Sequence, residues 1–228
     1  YRIVAVADAL PERRAQAKQE FGCRTYRDYR EMIRAGGFDL FINALPSRWH
    51  PEGTIAALRA GYHVVCEKPA AVRVADFDRM VQAARKAKRR LFPFQNSRYQ
   101  PAFQKILDVL NSGKLGELIH ARLSYSNFAR RWDWQTRQDL WGGNLNNTGP
   151  HPLDMAVVLF GERMPRVFSK LAHGPGSFGD ADDFALVVLY DKNAPTIEVL
   201  VSSYLAYPQG DTFSINGTRG GLTGNFKS

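Results

Sequence analysis

A helix, a strand and an abrupt break follow one another at residues 51–71, and this stretch constrains the fold most. Gly61 ends an apolar helix pattern, and residues 63–66 form a short β-prone run. Pro69 ends the strand, because it lacks an N–H and restricts the residue before it to extended geometry. In open α/β sheets the ligand crevice lies beyond the carboxyl ends of the strands. Lys68 is therefore a candidate cation in a binding cleft; an ordinary surface turn with an exposed lysine is the alternative.

Short apolar strands alternate with helices throughout the first 96 residues. We predict strands at residues 1–7, 38–44, 63–66 and 91–94, and helices at residues 11–21, 28–35, 51–60 and 74–88. This alternation predicts an α/β fold with a doubly wound parallel sheet of the Rossmann type. The Gly-rich phosphate loop of such a sheet should precede Asp8 by about 20 residues. We therefore expect the dinucleotide-binding domain, residues 1–97, to lack its first βα unit in this chain.

The pattern changes after residue 97, and we expect a second domain at residues 98–228. We predict helices at residues 101–110 and 150–160, and strands at residues 118–128, 167–172, 184–190, 196–204 and 212–216. Strands that follow one another favour an α+β domain with a mainly antiparallel open sheet. Residues 129–146 form a polar, tryptophan-rich loop of a length that is uncommon outside functional segments. We expect this substrate and oligomerisation domain to be incomplete at its C terminus.

Composition limits the classes of protein to which the chain can belong. A hydrophobic content of 44% is typical of a folded globular protein, and no apolar run approaches the length of a membrane span. Cys23 and Cys66 lack the spacing of metal ligands, so we predict no metal site. We interpret them as reduced, buried thiols of a cytoplasmic protein.

The net charge of +9 lies mostly in residues 1–97, which hold 18 Lys and Arg against 10 Asp and Glu. A basic half can bind nucleic acid, or it can attract an anionic small molecule such as a dinucleotide. The densest cluster, residues 85–90, falls where a helix should end, and cations there complement the helix dipole. We therefore favour a solvated helix end and expect neither a nucleic-acid nor a membrane partner.

Asp8 follows the first predicted strand directly. A dinucleotide-binding sheet places at this point the acid that hydrogen-bonds the adenosine ribose. A carboxylate repels a 2′-phosphate and favours NAD over NADP, although Arg13 and Arg14 in the next helix weaken that preference. A simple turn aspartate is the alternative.

Several short motifs follow one another along nearly the whole chain. They are Val-Ala-Asp8, Leu45-Pro46 with His50, Cys66-Glu67-Lys68-Pro69, Gly142-Gly143, Gly149-Pro150-His151 with Asp154, and Phe160-Gly161. In this order and spacing they resemble the glucose–fructose oxidoreductase / inositol dehydrogenase / rhizopine-catabolism (Gfo/Idh/MocA) family. The resemblance implies an NAD(P)-dependent oxidoreductase that transfers a hydride between nicotinamide and a carbinol or carbonyl carbon of a sugar, cyclitol or glycoside.

The resemblance also implies two catalytic residues. Lys68 corresponds to a lysine that reaches the nicotinamide ribose and the substrate hydroxyl, where a cation stabilises a developing alkoxide. The peptide between Lys68 and Pro69 is often cis in the family. His151 corresponds to the proton-transfer residue, and a near-neutral pKa suits histidine to that role. A histidine in the first turn of a helix, without a catalytic role, is the alternative.

Asn147 is a departure from the family, which commonly has aspartate four residues before the histidine. An asparagine amide binds a hydroxyl but accepts no proton as a base, so a carboxylate–histidine pair is in doubt. Asn147 is then either a substrate contact or a cap of the helix that begins at Pro150. It also keeps open a non-catalytic protein of the same fold that senses a dinucleotide or sugar.

The remaining candidates are contacts to cofactor and substrate. By resemblance, the cofactor contacts besides Asp8 and Lys68 are Leu45, Pro46, His50, Glu67, Gln95 and Asn96. Besides Lys68, Asn147 and His151, the expected substrate contacts are Arg137 and Trp141, on the loop that also holds Arg130, Arg131, Trp132 and Trp134. Aromatic rings and hydrogen-bonding cations suit sugars, while packing of the loop on the protein's own surface is the alternative.

The strands at residues 184–204 carry apolar side chains on both faces, and the chain offers helices for only one face. An apolar surface of that size usually marks an interface, and relatives in the family pair through this sheet. We expect a homodimer or homotetramer with two-fold symmetry at the contact.

Overall fold

The computed structural model describes residues 1–205 and 210–226, and the chain divides into two compact units. The first unit is Tyr1–Phe94 and the second is Gln95–Ser228. Each unit has its own cluster of buried apolar side chains.

The strands of the first unit are all parallel to their neighbours. These strands are β1 (Ala5–Ala7), β2 (Arg24–Tyr26), β3 (Leu40–Asn43), β4 (His63–Cys66) and β5 (Leu91–Pro93). The helices between them are α1 (Pro11–Phe21), α2 (Tyr29–Ala35), α3 (His50–Arg59) and α4 (Val74–Ala87). β1 pairs with β2, and β4 lies between β3 and β5. The predicted Rossmann-type parallel sheet with helices is confirmed.

Local sequence signals set the ends of the first two helices. Pro11 begins α1, where its missing N–H has no partner to lose. Gly22 ends α1 in the left-handed conformation with φ 59°, which glycine adopts without a steric penalty. The side chain of Asp28 accepts a hydrogen bond from the N–H of Arg30 and caps α2.

Two predictions about strands in this unit need correction. The first strand begins at Ala5 rather than at residue 1, and residues 1–3 are exposed. β2 was not predicted, because Arg24-Thr25-Tyr26 is short and lacks an apolar alternation. Both corrections concern the same strand pair. β1 and β2 pair over three residues each, and this pairing sets the length of β1.

The second unit is built on one six-stranded sheet. Its strands are β6 (Leu118–Ser126), β7 (Arg166–Ala172), β8 (Phe184–Tyr190), β9 (Thr196–Ser202), β10 (Phe213–Gly217) and β11 (Gly220–Gly224). Its helices are α5 (Pro101–Asn111), α6 (Asn144–Asn147) and α7 (Pro150–Phe160). The strand order is β11-β10-β6-β9-β8-β7, and every pair is antiparallel except β6 with β9. The predicted α+β unit with a mainly antiparallel sheet is confirmed, while β11 was not predicted because three of its five residues are glycine.

Helices cover one face of this sheet. Phe103 of α5 and Met155 of α7 are fully buried in the same cluster as Leu123, Val199 and Ile215 of the strands.

The opposite face of the sheet carries a second set of apolar side chains. In the register of β7, β8 and β9, Leu186 lies opposite Leu200 and Val188 lies opposite Phe168. Leu186, Val188 and Leu200 are half-buried, and Phe168 is 54% exposed. We name Phe168, Leu186, Val188 and Leu200 the outer apolar patch.

Both cysteines are free and buried. Within the described residues, no helix combines the length and the apolar composition that crossing a membrane requires. In the same parts of the chain, no group of three or more His, Cys, Asp or Glu side chains is arranged to hold a metal ion.

Candidate functional site

In the first unit, Asp8 follows the carboxyl end of β1. One oxygen of its carboxylate accepts a hydrogen bond of 2.8 Å from the N–H of Leu10. The other oxygen lies 3.5 Å from Nη1 of Arg13. Arg14 donates to the backbone carbonyl of Asp8 at 2.7 Å. Both arginines therefore lie at Asp8, and the carboxylate is held close to the start of α1.

The loop after β3 is organised by a buried asparagine that we did not predict. Asn43 is fully buried and donates to the carbonyl of His50 at 2.9 Å and to Oγ1 of Thr54 at 3.0 Å. Its Oδ1 accepts the N–H of Leu45 at 3.3 Å. Leu45 and Pro46 are half-buried in this loop. One asparagine thus fixes the path between β3 and α3.

His50 lies below the protein surface, with only 2% of its area exposed. Its Nδ1 lies 2.7 Å from the carbonyl oxygen of Pro69, so Nδ1 carries the proton and donates it. Burial lowers the pKa of His50 below its ordinary value, and the neutral ring is the stable form. Nε2 is buried and has no hydrogen-bond partner among the described residues. His50 therefore connects the start of α3 to the turn that carries Lys68.

Lys68 follows the carboxyl end of β4, as the sequence predicts, and is half-buried. Its N–H lies 3.3 Å from the carboxylate of Glu67, whose own N–H donates to the carbonyl of Asn43 at 3.0 Å. The Lys68–Pro69 peptide is cis. Burial raises the pKa of the neighbouring Cys66 thiol to about 11, so this thiol stays protonated near neutral pH.

These groups fit a dinucleotide by their chemistry. A carboxylate after β1 can accept hydrogen bonds from ribose hydroxyls, and an ammonium group after β4 can donate them.

In the second unit, His151 lies in the first turn of α7 and is half-buried. Its Nδ1 lies 2.7 Å from Oγ of Ser97, which is 3% exposed. The same two segments are joined by Arg98, which binds both carboxylate oxygens of Asp154 at 2.6 and 2.9 Å. This bidentate pair and the Ser97 contact fix the orientation of the imidazole. Ser97 was not predicted, although it directly follows Gln95-Asn96 in the sequence.

Gln95 and Asn96 precede that serine. Gln95 is half-buried, and its Oε1 has no hydrogen-bond partner among the described residues. Asn96 is exposed.

The long loop turns sharply where it approaches α6. Trp141 adopts the left-handed conformation with φ 60°, which is unusual for a bulky residue and marks a constrained turn. The N–H of Gly142 then donates to the carbonyl of Arg137 at 2.8 Å. Arg137 is exposed and pairs with Asp139. Gly143 has φ 98°, and a Cβ there would collide with the Asp182 carboxylate.

Asn147 is the last residue of α6, and its N–H donates to the carbonyl of Gly143. Asn147 does not occupy the N-cap position of the helix that begins at Pro150. Gly149 occupies that position of α7. The chain reaches Gly149 through a separate short helix, which places Asn147 in an earlier turn.

The segment between β7 and β8 contacts the start of α6, which was not predicted from sequence. Asp182 accepts the N–H of Leu145 at 2.8 Å, and burial raises the pKa of Asp182. Asp183 accepts the N–H of Gly174 at 2.9 Å and the hydroxyl of Ser177. The pair of aspartates in Ala-Asp-Asp-Phe was the available signal, since charged residues directly before a buried strand need partners.

The chain thus combines a parallel α/β unit with an α+β unit built on an open six-stranded sheet. Residues 1–95 match the family model described as "Oxidoreductase family, NAD-binding Rossmann fold". Residues 103–223 match the model of the GFO/IDH/MocA C-terminal domain. The chain belongs to the GFO/IDH/MocA oxidoreductase family, which confirms the resemblance found in the sequence motifs.

Similar proteins include named sugar and cyclitol dehydrogenases. Myo-inositol 2-dehydrogenase of Thermotoga maritima is 28% identical over 223 residues, which cover 96% of this chain and 66% of that protein. D-apiose dehydrogenase of Paraburkholderia graminis is 31% identical over 92% of this chain and 56% of its own length.

Among solved structures, the WlbA dehydrogenase from Bordetella pertussis in complex with NADH and UDP-GlcNAcA matches with a TM-score of 0.86 at 26% identity. The match covers 97% of this chain and 65% of that one. This chain thus spans between about half and two thirds of the length of these relatives.

Proposed function

We propose that this protein is an NAD-dependent oxidoreductase that transfers a hydride between nicotinamide and a carbinol or carbonyl carbon of a sugar, cyclitol or glycoside. Membership of the GFO/IDH/MocA family supports the reaction class. The single observation that carries the proposal is the hydrogen bond of 2.7 Å between Ser97 and His151. This bond engages Nδ1 of the half-buried His151, so we assign the proton transfer to Nε2.

The serine hydroxyl suits a reversible proton transfer. A hydroxyl both donates and accepts, so Ser97 can stabilise either tautomer of the His151 imidazole. When Nδ1 donates to Ser97, Nε2 is a base that removes a carbinol proton. Once Nε2 has taken that proton, both ring nitrogens carry protons and Nδ1 still donates to Ser97, so the imidazolium can return its Nε2 proton to a carbonyl oxygen in the reverse reaction. His151 is the proposed general acid and base.

Lys68 is the proposed electrostatic catalyst and substrate contact. Oxidation of a carbinol develops negative charge on its oxygen, and a fixed ammonium group stabilises that charge more than it stabilises the neutral alcohol. Glu67 and the bond from His50 to Pro69 hold the turn on which Lys68 is placed.

NAD, when bound, supplies the nicotinamide carbon that accepts or donates the hydride. Asp8 is the proposed ribose contact and favours NAD, whereas Arg13 and Arg14 beside it leave NADP possible. The other proposed cofactor contacts are Leu45, Pro46, Glu67, Lys68, Gln95 and Asn96. Because His50 is buried, we propose that it acts on the cofactor site through the backbone of Pro69. Residues 1–97 form the proposed cofactor domain and residues 98–228 the proposed substrate domain.

Arg137, Trp141 and Asn147 are the further proposed substrate contacts. Asn147 also supports a second candidate function, in which the protein binds a dinucleotide or sugar as a sensor without turnover. An amide at this position accepts no proton, so catalysis depends on His151 for the whole of the proton transfer.

We further propose a homodimer or homotetramer joined through the outer apolar patch and the neighbouring residues of 184–204. Apolar side chains on an uncovered sheet face support this contact. A cytoplasmic location is supported by the two free cysteines, since reducing compartments preserve thiols.

The proposal is tested by incubating the full-length protein and NAD with a panel of sugars, cyclitols and glycosides. Absorbance of the reduced nicotinamide reports turnover. We expect turnover of at least one compound and its loss in the His151→Asn variant. Tight binding of NAD or a sugar without turnover of any compound would favour the sensor. Turnover that His151→Asn leaves unchanged would refute the assigned acid and base.

A further inference from the structure

The second unit contains an open cleft at the edge of the sheet where β6 and β9 end and β8 begins. The cleft encloses about 130 Å³ and opens to solvent. One side is lined by residues 129–132, 135 and 136, another by residues 173, 176–178 and 181–183, and Asn144 and Ser203 complete the cleft.

One residue of the lining has a buried hydrogen-bond acceptor without a donor among the described residues. Oε1 of Gln135 is buried and accepts no hydrogen bond from any described residue. A buried polar atom without a partner costs free energy, and a hydroxyl of a ligand would remove that cost. Asp182 adds carboxylate acceptors on the same cleft, although one of its oxygens already accepts the N–H of Leu145.

The lining also includes a preorganised donor. The guanidinium of Arg130 lies over the rings of Phe128 and Tyr204, at 4.9 and 5.2 Å from their centroids. Its Nη1 donates to Oγ of Ser177 at 3.0 Å. The Ser177 hydroxyl in turn donates to Asp183. A guanidinium has five N–H donors, so this one is held in place with donors to spare for a ligand.

The charges that line the cleft balance. Arg130 and Arg131 face the same cleft as Asp182 and Asp183, and Arg131 is also paired with Asp133 outside the lining. A site for an anion would have an excess of cations. Mixed acceptors and donors without an excess of either charge instead suit the many hydroxyls of a neutral polyol.

Trp132 supplies the apolar surface that such a ligand needs. It lines the cleft, and 71% of its area is exposed. An indole has only two side-chain torsions to fix on binding, and it offers a flat face to the C–H side of a sugar ring.

We propose that this cleft binds the neutral ring of a glycoside that does not carry the reacting carbon. Asn144 lines the cleft and begins α6, which leads within seven residues to His151. A glycoside with one ring in the cleft would extend towards that histidine. The assignment to a glycoside substrate rests on the proposed function, whereas recognition of a neutral sugar ring does not.

Binding is tested first, without cofactor, by ligand-observed NMR titration of the full-length protein with methyl α-D-glucopyranoside. We expect Trp132→Ala to raise the Kd about fivefold, and Gln135→Leu to raise it by a similar factor. Trp132→Phe is the matched control, because it keeps an aromatic face and should change the Kd by less than about twofold. The corresponding methyl glucuronide should bind more weakly than the glucoside. Unchanged affinity in Trp132→Ala and Gln135→Leu, or tighter binding of the glucuronide, would overturn the proposal.

Turnover separates this inference from the proposed function. We expect Trp132→Ala to raise KM for a glycoside about fivefold and to leave KM for a single-ring polyol such as myo-inositol unchanged. If the glucoside binds in a Trp132-dependent manner but no compound is turned over, the proposed function is refuted and the assignment of the cleft to a sugar ring still holds. If glycosides are turned over and Trp132→Ala does not change their KM, the assignment of the cleft to a sugar ring is refuted and the proposed reaction still holds.

Discussion

Oγ of Ser97 lies 2.7 Å from Nδ1 of His151, and this contact joins the turn before α5 to the first turn of α7. Arg98 and Asp154 join the same two segments one residue and three residues further along the chain. The imidazole is therefore oriented from a segment more than 50 residues away in sequence. Any function of His151 depends on this pairing as much as on the histidine itself.

Ser97→Ala should lower kcat about tenfold and change KM little, because it removes one hydrogen bond that orients the imidazole. Ser97→Thr keeps a hydroxyl and is the matched control. The pH profile of kcat separates orientation from stability, since loss of the hydroxyl should shift the acid limb while the melting temperature stays nearly constant. Equal kcat in the two variants would show that Ser97 is only a packing residue.

Lys68→Ala should abolish turnover and leave the fold intact. Removal of a preorganised charge at a reacting oxygen costs about 3–4 kcal/mol, or roughly a hundredfold to a thousandfold in rate. Steady-state kinetics and thermal unfolding of the same preparation check both parts. Lys18→Ala, on the exposed side of α1, is the control for loss of one positive charge. Near wild-type kcat in Lys68→Ala would mean that Lys68 is only a turn residue.

Asp8→Ala should narrow the preference for NAD over NADP, because the carboxylate that repels a 2′-phosphate is lost. Arg13, which lies 3.5 Å from that carboxylate, would then be available to the phosphate. Tryptophan fluorescence titrations with both cofactors measure the change, with Glu12→Gln as the control on the same helix. Tighter binding of NADP by the unmodified protein would contradict the assignment and direct attention to Arg13 and Arg14.

His50 should make the first unit less stable at acidic pH. Its folded-state pKa lies below the ordinary value of 6.5 mainly because it is buried; the charge of Lys68 also lowers the pKa, whereas the charge of Glu67 opposes the shift. Below pH 6.5 the unfolded chain binds a proton that the folded chain does not bind, so the free energy of unfolding falls as pH falls. His50 contributes at most about 1.4 kcal/mol per pH unit to the slope of the free energy of unfolding against pH. This contribution vanishes well above the pKa of histidine in the unfolded chain.

Urea unfolding from pH 5 to pH 8 measures this effect. His50→Asn keeps a side-chain donor for Pro69 but does not titrate, so its free energy of unfolding should depend less on pH below pH 6.5 and run parallel to wild type above. An identical slope in the two proteins would show that His50 does not contribute.

The outer apolar patch should hold two copies of the chain together. Leu186→Asp places a charge in the middle of that patch and should convert the oligomer to a monomer in light scattering at micromolar concentration. Met164→Asp is the control, since Met164 is 88% exposed and lies outside the strands. A wild-type protein that is already monomeric would refute the proposed contact.

Most of the fold could be predicted because strong signals mark its longer elements. Pro11 and Gly22 bound α1, and the prediction of residues 150–160 for α7 agrees with Pro150–Phe160. The strands that were missed are short or glycine-rich. β2 has three residues and exists because β1 pairs with it, and β11 is held by its register with β10. Such strands depend on tertiary pairing, which no local pattern contains.

The site was predictable only where motifs mark it. Lys68 and His151 stand in recognisable motifs, and the structure places them after β4 and at the start of α7. Ser97, Gln135 and Asp182 were not predicted, because each acquires its environment from residues that are distant in sequence. The cleft itself forms only when two loops about 40 residues apart meet, so its balanced charge could not be read from either loop alone.

The parallel pairing of β6 with β9 has a consequence for how this protein can change over evolution. β6 and β9 are adjacent in the middle of the sheet, and residues 127–195, which include both loops of the cleft, connect them along the chain. The ladder from His120 to Ser126 against Thr196 to Ser202 is complete without those loops. Each doubling of the length of a flexible loop costs only about 0.6 kcal/mol. Insertions and deletions at this edge can therefore exchange the ligand that a lineage recognises while its framework is inherited unchanged.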